Sequence, residues 1–403
     1  VIKCIFTTAL RKFIKEGQVI MNSSNLLRAF NFMYFALLAL FVSFLPVYLD
    51  AQGLSTSRIG LIIGTGGFIA IFSQPLWGMI SDRTKTIKKV MLLLLFCSTI
   101  IGYLLYDSKS FIILLLFTML LYFFLMPLDP LTESLNFQTA EAVGTSYGSI
   151  RTFGAVGYAV MSLVVGYAAQ YFGIHSLAYL FGGIGVMSLI IGLALPDAPV
   201  TGKPISLRSL RNFLGNRETI WFMILIFICA VPQRINDTFL GVYIRELGGS
   251  NHLVGIAFFL AAGSEILVFA LSFWWLRKGK ELAIISFAAL FYFIRFLISA
   301  WVTDPHVLVA IQLLQTFTFP IFYSAAIQYL YQIVPEEWRA TGQTVLAIIF
   351  FGISGIVASY VGGWFYQSFG GQQLYYGVSF MSLTGFIFSL VLRTVYRKQR
   401  LAT

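Results

Sequence analysis

Residues Phe111–Glu133 read FIILLLFTMLLYFFLMPLDPLTE, and two features of this stretch decide the fold. From Phe111 to Leu128 there is no charged side chain. A helix needs about 20 such residues to cross the roughly 30 Å hydrocarbon core of a bilayer. The run is continuous instead of alternating, which argues against a strand of a membrane barrel. Then, on the same predicted helix, come Pro127, Asp129, Pro130 and Glu133. Charges at such depth face partners or water, not lipid.

The rest of the chain repeats the first feature. Of 403 residues, 58% are hydrophobic and only 11% are charged, whereas soluble domains carry roughly a quarter charged residues. Too few charges remain for a water-facing surface. Apolar runs of span length recur near 26–49, 57–81, 89–107, 110–139, 145–172, 175–195, 218–245, 250–276, 281–302, 306–333, 340–368 and 372–394. The expectation is an all-α membrane protein of twelve transmembrane helices.

Lys and Arg orient it. Five fall in 1–28, four in 82–89, four in 203–217, three in 277–280, one at Arg339 and four in 393–400. The other side holds only Arg58, Lys109 and Arg245. Positive charge collects on the cytoplasmic side, so both termini and the 196–217 segment are expected there, in an inner or plasma membrane. The net charge of +11 is thus a topology signal and not a nucleic-acid footprint.

The pattern also repeats in halves. Met126-Pro127 corresponds to Phe319-Pro320, Tyr147-Gly148 to Thr341-Gly342, and the basic loop at 82–89 to that at 277–280. This divides the chain into a six-helix bundle at 21–195, a cytoplasmic linker at 196–217, a second six-helix bundle at 218–395 and a cytoplasmic tail at 396–403. Two such repeats suit alternating access around a mid-membrane site. Residues 1–20 are basic and end in Lys15-Glu16-Gly17 shortly before Met21. Codons for those three residues can encode a ribosome-binding sequence, so Met21 is expected to be the start and 1–20 to lie outside the fold. An amphipathic surface helix and the beginning of a signal peptide are the alternatives.

Seven ionisable residues lie inside expected spans: Asp129, Glu133, Arg151, Arg234, Asp237, Glu265 and Arg295. Left unpaired at the bilayer centre they would cost about 20 kcal/mol together. They must therefore face one another or a water-filled cavity. Asp129 and Glu133, four apart, share one helix face; Arg234 and Asp237, three apart, can pair locally, as a structural bridge or as part of a site. Tyr122, Tyr158, Tyr292 and Tyr323 fall deep in their spans, while the glycines of the second span (Gly60, Gly64, Gly66, Gly67) read as a close packing seam. Cys4, Cys97 and Cys229 have no ligand spacing, and His175, His252 and His306 fall at span ends, so no metal site, cofactor or enzyme chemistry is indicated. No Walker-type motif is present to use ATP.

These residues resemble the major facilitator superfamily over essentially all of 25–395. Gly78-Met79-Ile80-Ser81-Asp82-Arg83 through Lys88-Lys89 is similar to the family's loop between helices 2 and 3, where the resemblance implies that Asp82 and Arg83 help latch the inward gate. Pro127 to Glu133, Tyr147 to Gly154, Glu265-Ile266-Leu267 and Arg295-Phe296 resemble the branch of lactose permease and the phenylpropionic acid transporters. That resemblance implies substrate binding by the Glu133–Arg151 pair with Glu265, and an aromatic stacking position at Tyr158. Asp129 shares the face of Glu133 and joins the candidate set. The pattern departs where that permease has a histidine and a glutamate tied to proton release; here Gln315 and Thr318 stand. Arginine does not release its proton in practice, so a coupling proton is expected on Glu265, with Arg295 approaching it, or on Asp129.

The expected function is secondary active transport, as proton-coupled symport of a small polar or anionic nutrient (a sugar, nucleoside or aromatic acid), by a monomer whose partners are its substrate, protons and the bilayer. A drug or metabolite exporter of the same fold and a transport-dead membrane sensor are the alternatives. The dense set of charges speaks against the first, and the lack of a soluble signalling domain against the second.

Overall fold

The computed structural model describes residues 24–197, 216–276 and 279–402. The expected 1–20 extension and most of the 196–217 linker lie outside the described residues. Among those described there are twelve helices long and apolar enough to cross a membrane. They are α1 (Ser24–Ala51), α2 (Thr56–Thr84), α3 (Ile87–Asp107), α4 (Phe111–Val143), α5 (Tyr147–Tyr171), α6 (Ser176–Ala194), α7 (Arg217–Glu246), α8 (Asn251–Ala270), α9 (Glu281–Trp301), α10 (Pro305–Ile333), α11 (Thr341–Phe369) and α12 (Gly371–Tyr396). No strand occurs among the described residues. The last helix runs on to Ala402, so the expected tail, over its described residues, continues α12. The eighth span stops at Ala270, short of the expected 276: a separate turn at Ser272–Trp275 follows, tied back by a Trp275 Nε1 hydrogen bond to the Val268 carbonyl at 3.2 Å.

Short polar residues start the helices, each accepting a backbone N–H that the first turn leaves unpaired. Thr86 caps α3, Ser146 α5, Asn216 α7 and Ser250 α8. Asp304 caps α10 by accepting from the His306 N–H at 2.8 Å, with Pro305 in the first turn.

Several helices are irregular near their middles. Helix α4 breaks at Met126–Pro127, where the proline ring would clash with the Phe123 carbonyl. In α10, Gln312–Phe317 is wound as a 3-10 helix and the backbone turns at Thr318 (φ −110, ψ −101) before Pro320. The two breaks occupy corresponding places in the two repeats. Segments Ala39–Ser43 of α1 and Ile348–Ile353 of α11 are π-wound; such bulges are frequent at functional sites.

The two halves meet along glycine seams. A Cβ on Gly60 of α2 would stand 2.0 Å from the Ser359 carbonyl oxygen of α11, and one on Gly255 of α8 would stand 2.5 Å from the Ser162 oxygen of α5. Only glycine permits such backbone approach. Polar contacts between the halves gather near the same seams. Arg245 pairs with Asp50 at 3.0 Å and donates to the Val47 carbonyl at 3.1 Å. Thr56 Oγ1 donates to the Gly363 carbonyl at 3.2 Å, Thr65 and Tyr360 share a 2.6 Å hydrogen bond, and the Asn251 N–H donates to Gln170 at 3.1 Å. All of these lie in the half of the membrane away from the basic loops. At the basic face, no hydrogen bond, ion pair or ring contact joins the halves among the described residues.

Candidate functional site

One polar cluster is built by α1, α4 and α5. Proline-broken α4 presents Glu133, whose Oε1 accepts from Arg151 Nε at 2.5 Å. Glu133 Oε2 accepts from the Tyr147 hydroxyl at 2.5 Å and lies 3.5 Å from Asn136 Nδ2. Asn136 and Asn31 exchange hydrogen bonds of 2.7 and 2.9 Å, tying α4 to α1. The Arg151 guanidinium sits 4.1 Å from the centre of the Phe35 ring, and the Tyr147 ring stacks on Phe137 at 4.0 Å. The Arg151 and Glu133 side chains remain 33% and 22% exposed, so a solute can reach them. Arg151's two terminal nitrogens make no hydrogen bond among the described residues. The Asp129 carboxylate, one turn from Glu133, has no hydrogen bond or ion pair among the described residues, and the Asp129 N–H donates to the Met126 carbonyl at 3.2 Å. Tyr34 is fully buried with its hydroxyl unpaired, within electrostatic reach of Asp129, Glu133 and Arg151.

A second cluster is built by α7, α8, α9 and α10. Arg234 pairs with Asp237 one turn along α7, and Gln233 Nε2 donates to the other Asp237 oxygen at 2.7 Å. The Arg234 guanidinium lies 5.1 Å from the Phe351 ring centre, on the π-wound part of α11. Arg295, only 1% exposed, has no carboxylate partner among the described residues. Its Nη1 donates to Gln315 Oε1 and, at 3.2 Å, to Thr318 Oγ1, while Nη2 donates to Gln312 Oε1 at 2.5 Å. The winding explains this cage: with three residues per turn, side chains three apart eclipse, so positions 312, 315 and 318 line one side. In an α-helix they would fan out by about 60° per step.

The structure departs here from one expectation. Glu265 and Arg295 are not in direct contact; Gln315 stands between them, donating from Nε2 to Glu265 Oε1 at 2.7 Å and accepting from Arg295 through Oε1. The residues that replace the branch's histidine and glutamate thus hold Arg295 with neutral oxygens. Gln312, Asn31, Asn136 and Tyr147 also belong to these clusters. The sequence signal for them was polar residues at helical spacing beside the charges, within otherwise apolar spans.

The clusters converge from both halves. Tyr158 shares a 2.6 Å hydrogen bond with Ser43 of the π-wound segment of α1 and lies within electrostatic reach of Asp237, Glu265 and Arg234 across the interface. Tyr122 likewise senses Arg234, and Tyr323 of α10 senses Asp129. Asp82 and Arg83, by contrast, are exposed at the basic end of α2, and their side chains bridge nothing among the described residues. The neighbouring polar link is made by Asp197, which accepts from Thr86 Oγ1 at 2.5 Å and from the Lys88 N–H at 3.1 Å. No group of His, Cys, Asp and Glu among the described residues could hold a metal ion.

Two six-helix repeats enclosing a charged centre at mid-membrane define a multi-pass membrane transporter of the major facilitator type. Residues 25–377 match the MFS_1 like family, and the chain belongs to that family. It is 27% identical over 354 residues to the uncharacterized transporter YwbF of Bacillus subtilis (strain 168), covering 87% of this chain and 88% of that protein. It is 26% identical over 365 residues to the maltose permease of Geobacillus stearothermophilus, covering 89% and 92%. The crystal structure of the nucleoside transporter NupG shares the fold with a TM-score of 0.83 at 17% identity, over 92% of this chain and 99% of that one.

Proposed function

We propose that this transporter is a proton-coupled symporter that imports a small polar nutrient by alternating access, acting as a monomer in the inner or plasma membrane. The observation that carries the reading is the Glu133–Arg151 pair: partly exposed and held on two helices, beside an Asp129 within electrostatic reach of Tyr323 from the opposite half. Substrate bridging the two clusters would favour their approach, and a difference in affinity between two arrangements is what drives a conformational change. In this reading the basic face, the linker and both termini are cytoplasmic, and bundles 21–195 and 218–395 rock about the site. The structure, sealed at the far face, then represents a cytoplasm-facing state. Among the described residues the Asp82 and Arg83 side chains have no partners, and in this reading their latch belongs to the opposite state.

The proton rides on Glu265 or Asp129. Glu133 and Asp237 are each held by an arginine, whereas among the described residues the Glu265 carboxylate meets an amide alone and the Asp129 carboxylate has no partner. Substrate-dependent alkalinisation of the medium by de-energised cells expressing the protein, screened over sugars, nucleosides and aromatic acids, tests transport and coupling together. Uptake of substrate with no pH change would refute symport.

A further inference from the structure

At the far face Arg245 Nη1 of α7 meets Asp50 Oδ2 of α1 at 3.0 Å. Among the described residues no other ion pair joins the two halves. Helices α1 and α7 open the two repeats, so the pair links equivalent outer ends. The same nitrogen donates to the Val47 carbonyl, near the end of α1, at 3.1 Å. The next residue, Glu246, is pinned within its own half. Its Oε2 accepts from the Tyr366 hydroxyl of α11, and a Cβ on Gly371 would stand 2.6 Å from that oxygen. Asp50 is within electrostatic reach of both Arg245 and Glu246. We propose that Arg245 is the lock of the far face: it holds Asp50 of the first half beside Glu246 of the second, and its loss turns attraction between the halves into repulsion. This goes beyond the transporter reading and rests on its alternating-access cycle.

The arginine stands where a cation is favoured twice. The C-terminal ends of α1 and α7 both carry the partial negative charge of their last carbonyls. Carboxylates at such ends are disfavoured, so Asp50 and Glu246 depend on the guanidinium beside them. The pair is also breakable. Both side chains are 29% exposed, so water takes up the charges as they part, and pairs of this kind hold weakly. A fully buried pair would be far costlier to separate, and a gate that opens once per cycle needs the weaker bond. The other polar contacts across the far face, Thr56 with Gly363, Thr65 with Tyr360 and Asn251 with Gln170, are neutral. The two partners of the lock are not equivalent. Neutralising Asp50 leaves Arg245 on the Val47 carbonyl, whereas neutralising Arg245 leaves two carboxylates, one from each half, within reach of each other.

The test uses the full-length protein in intact cells at neutral pH, with Thr65→Cys as reporter and an impermeant maleimide added outside. Asp50→Asn should raise the labelling rate by about threefold and Arg245→Gln by about tenfold, the losses of a part-exposed pair without and with a residual repulsion. Arg245→Lys keeps the charge and should stay within about twofold of the parent. The decisive variant is the double one. In the Arg245→Gln background Asp50→Asn removes the repelling charge, so it should lower the rate by about threefold. The same substitution thus loosens the parent and tightens the variant, a reversal that a merely structural side chain would not produce. A double variant at least as reactive as Arg245→Gln, or Arg245→Lys as reactive as Arg245→Gln, would overturn the lock. Gly255→Val, whose side chain would collide with the Ser162 oxygen, serves as the reference for an opened face. If it labels faster while the charge variants match the parent, the lock falls alone. If it too matches the parent, the alternating-access reading falls with it.

Discussion

Glu133 is held by three groups at once, the Arg151 guanidinium, the Tyr147 hydroxyl and the Asn136 amide, and its carboxylate fixes the orientation of the cation a substrate would meet. Glu133→Gln keeps the shape and removes the charge. Binding of the true substrate, measured by calorimetry, should weaken by about a hundredfold, the scale of losing one partner of a charge-assisted pair, while the protein stays folded and inserted. The Glu265 carboxylate differs in having, among the described residues, only the Gln315 amide. Glu265→Gln should retain exchange of substrate but lose accumulation driven by a pH gradient; if accumulation persists, the same measurement on Asp129→Asn identifies the proton carrier. Asp129, Glu133, Arg151 and Glu265 were legible in the sequence because a charge in an apolar span has few explanations. The cage of Arg295 was not, since amides and hydroxyls are tolerated on many helix faces. Which of them converge depends on local winding, and sequence periodicity alone does not fix that.

At the scale of the helix, the departures from regular α-winding carry the site. The break in α4 was readable from Pro127, and its counterpart in α10 from Pro320, because proline removes a donor and clashes with the preceding turn. The π-wound segments, which bring Ser43 to Tyr158 and Phe351 to Arg234, left no such mark, since no residue type demands them. The glycines of α2 read correctly as a seam, though their partner helix did not follow from spacing. Substitution tests the seam directly. Gly60→Ala places a methyl group where the Ser359 oxygen stands, so α2 and α11 cannot close on the far face. A cysteine placed at Thr65 should then become more reactive to an impermeant reagent added from that face, and transport should fall by about tenfold, one misplaced contact being enough to bias two packed helices. Unchanged reactivity would show that the seam does not seal the path.

The whole molecule was the most legible scale. Twelve apolar runs, the lopsided distribution of Lys and Arg and the repeated proline positions specify helix number and pairing of halves, because lipid leaves the backbone few choices. The state was not legible: under the proposed alternating-access cycle one sequence encodes both arrangements, and the far-face contacts of the present one are few. In the proposed cycle Asp82 belongs to the other arrangement. Asp82→Asn should increase labelling of cysteines on the cytoplasmic cavity wall and slow transport. Equal labelling on both faces in the variant and the parent would remove Asp82 from the gate.

The 3-10 stretch of α10 has a further consequence, which concerns length. A 3-10 helix rises about 2.0 Å per residue and an α-helix about 1.5 Å. Six residues, Gln312–Phe317, therefore make α10 about 3 Å longer than it would be if wound as α throughout. Rewinding them would draw the basic end of α10 inward by that amount and swing at least one amide off Arg295, without bending any other helix. The spring sits beside Glu265, whose carboxylate has as its one hydrogen-bond partner among the described residues Gln315, one of the six. Protonation or substrate contact at that carboxylate would thus be felt at the membrane surface as a shortening, and spin labels at the two ends of α10 would read it as a distance change of about 3 Å.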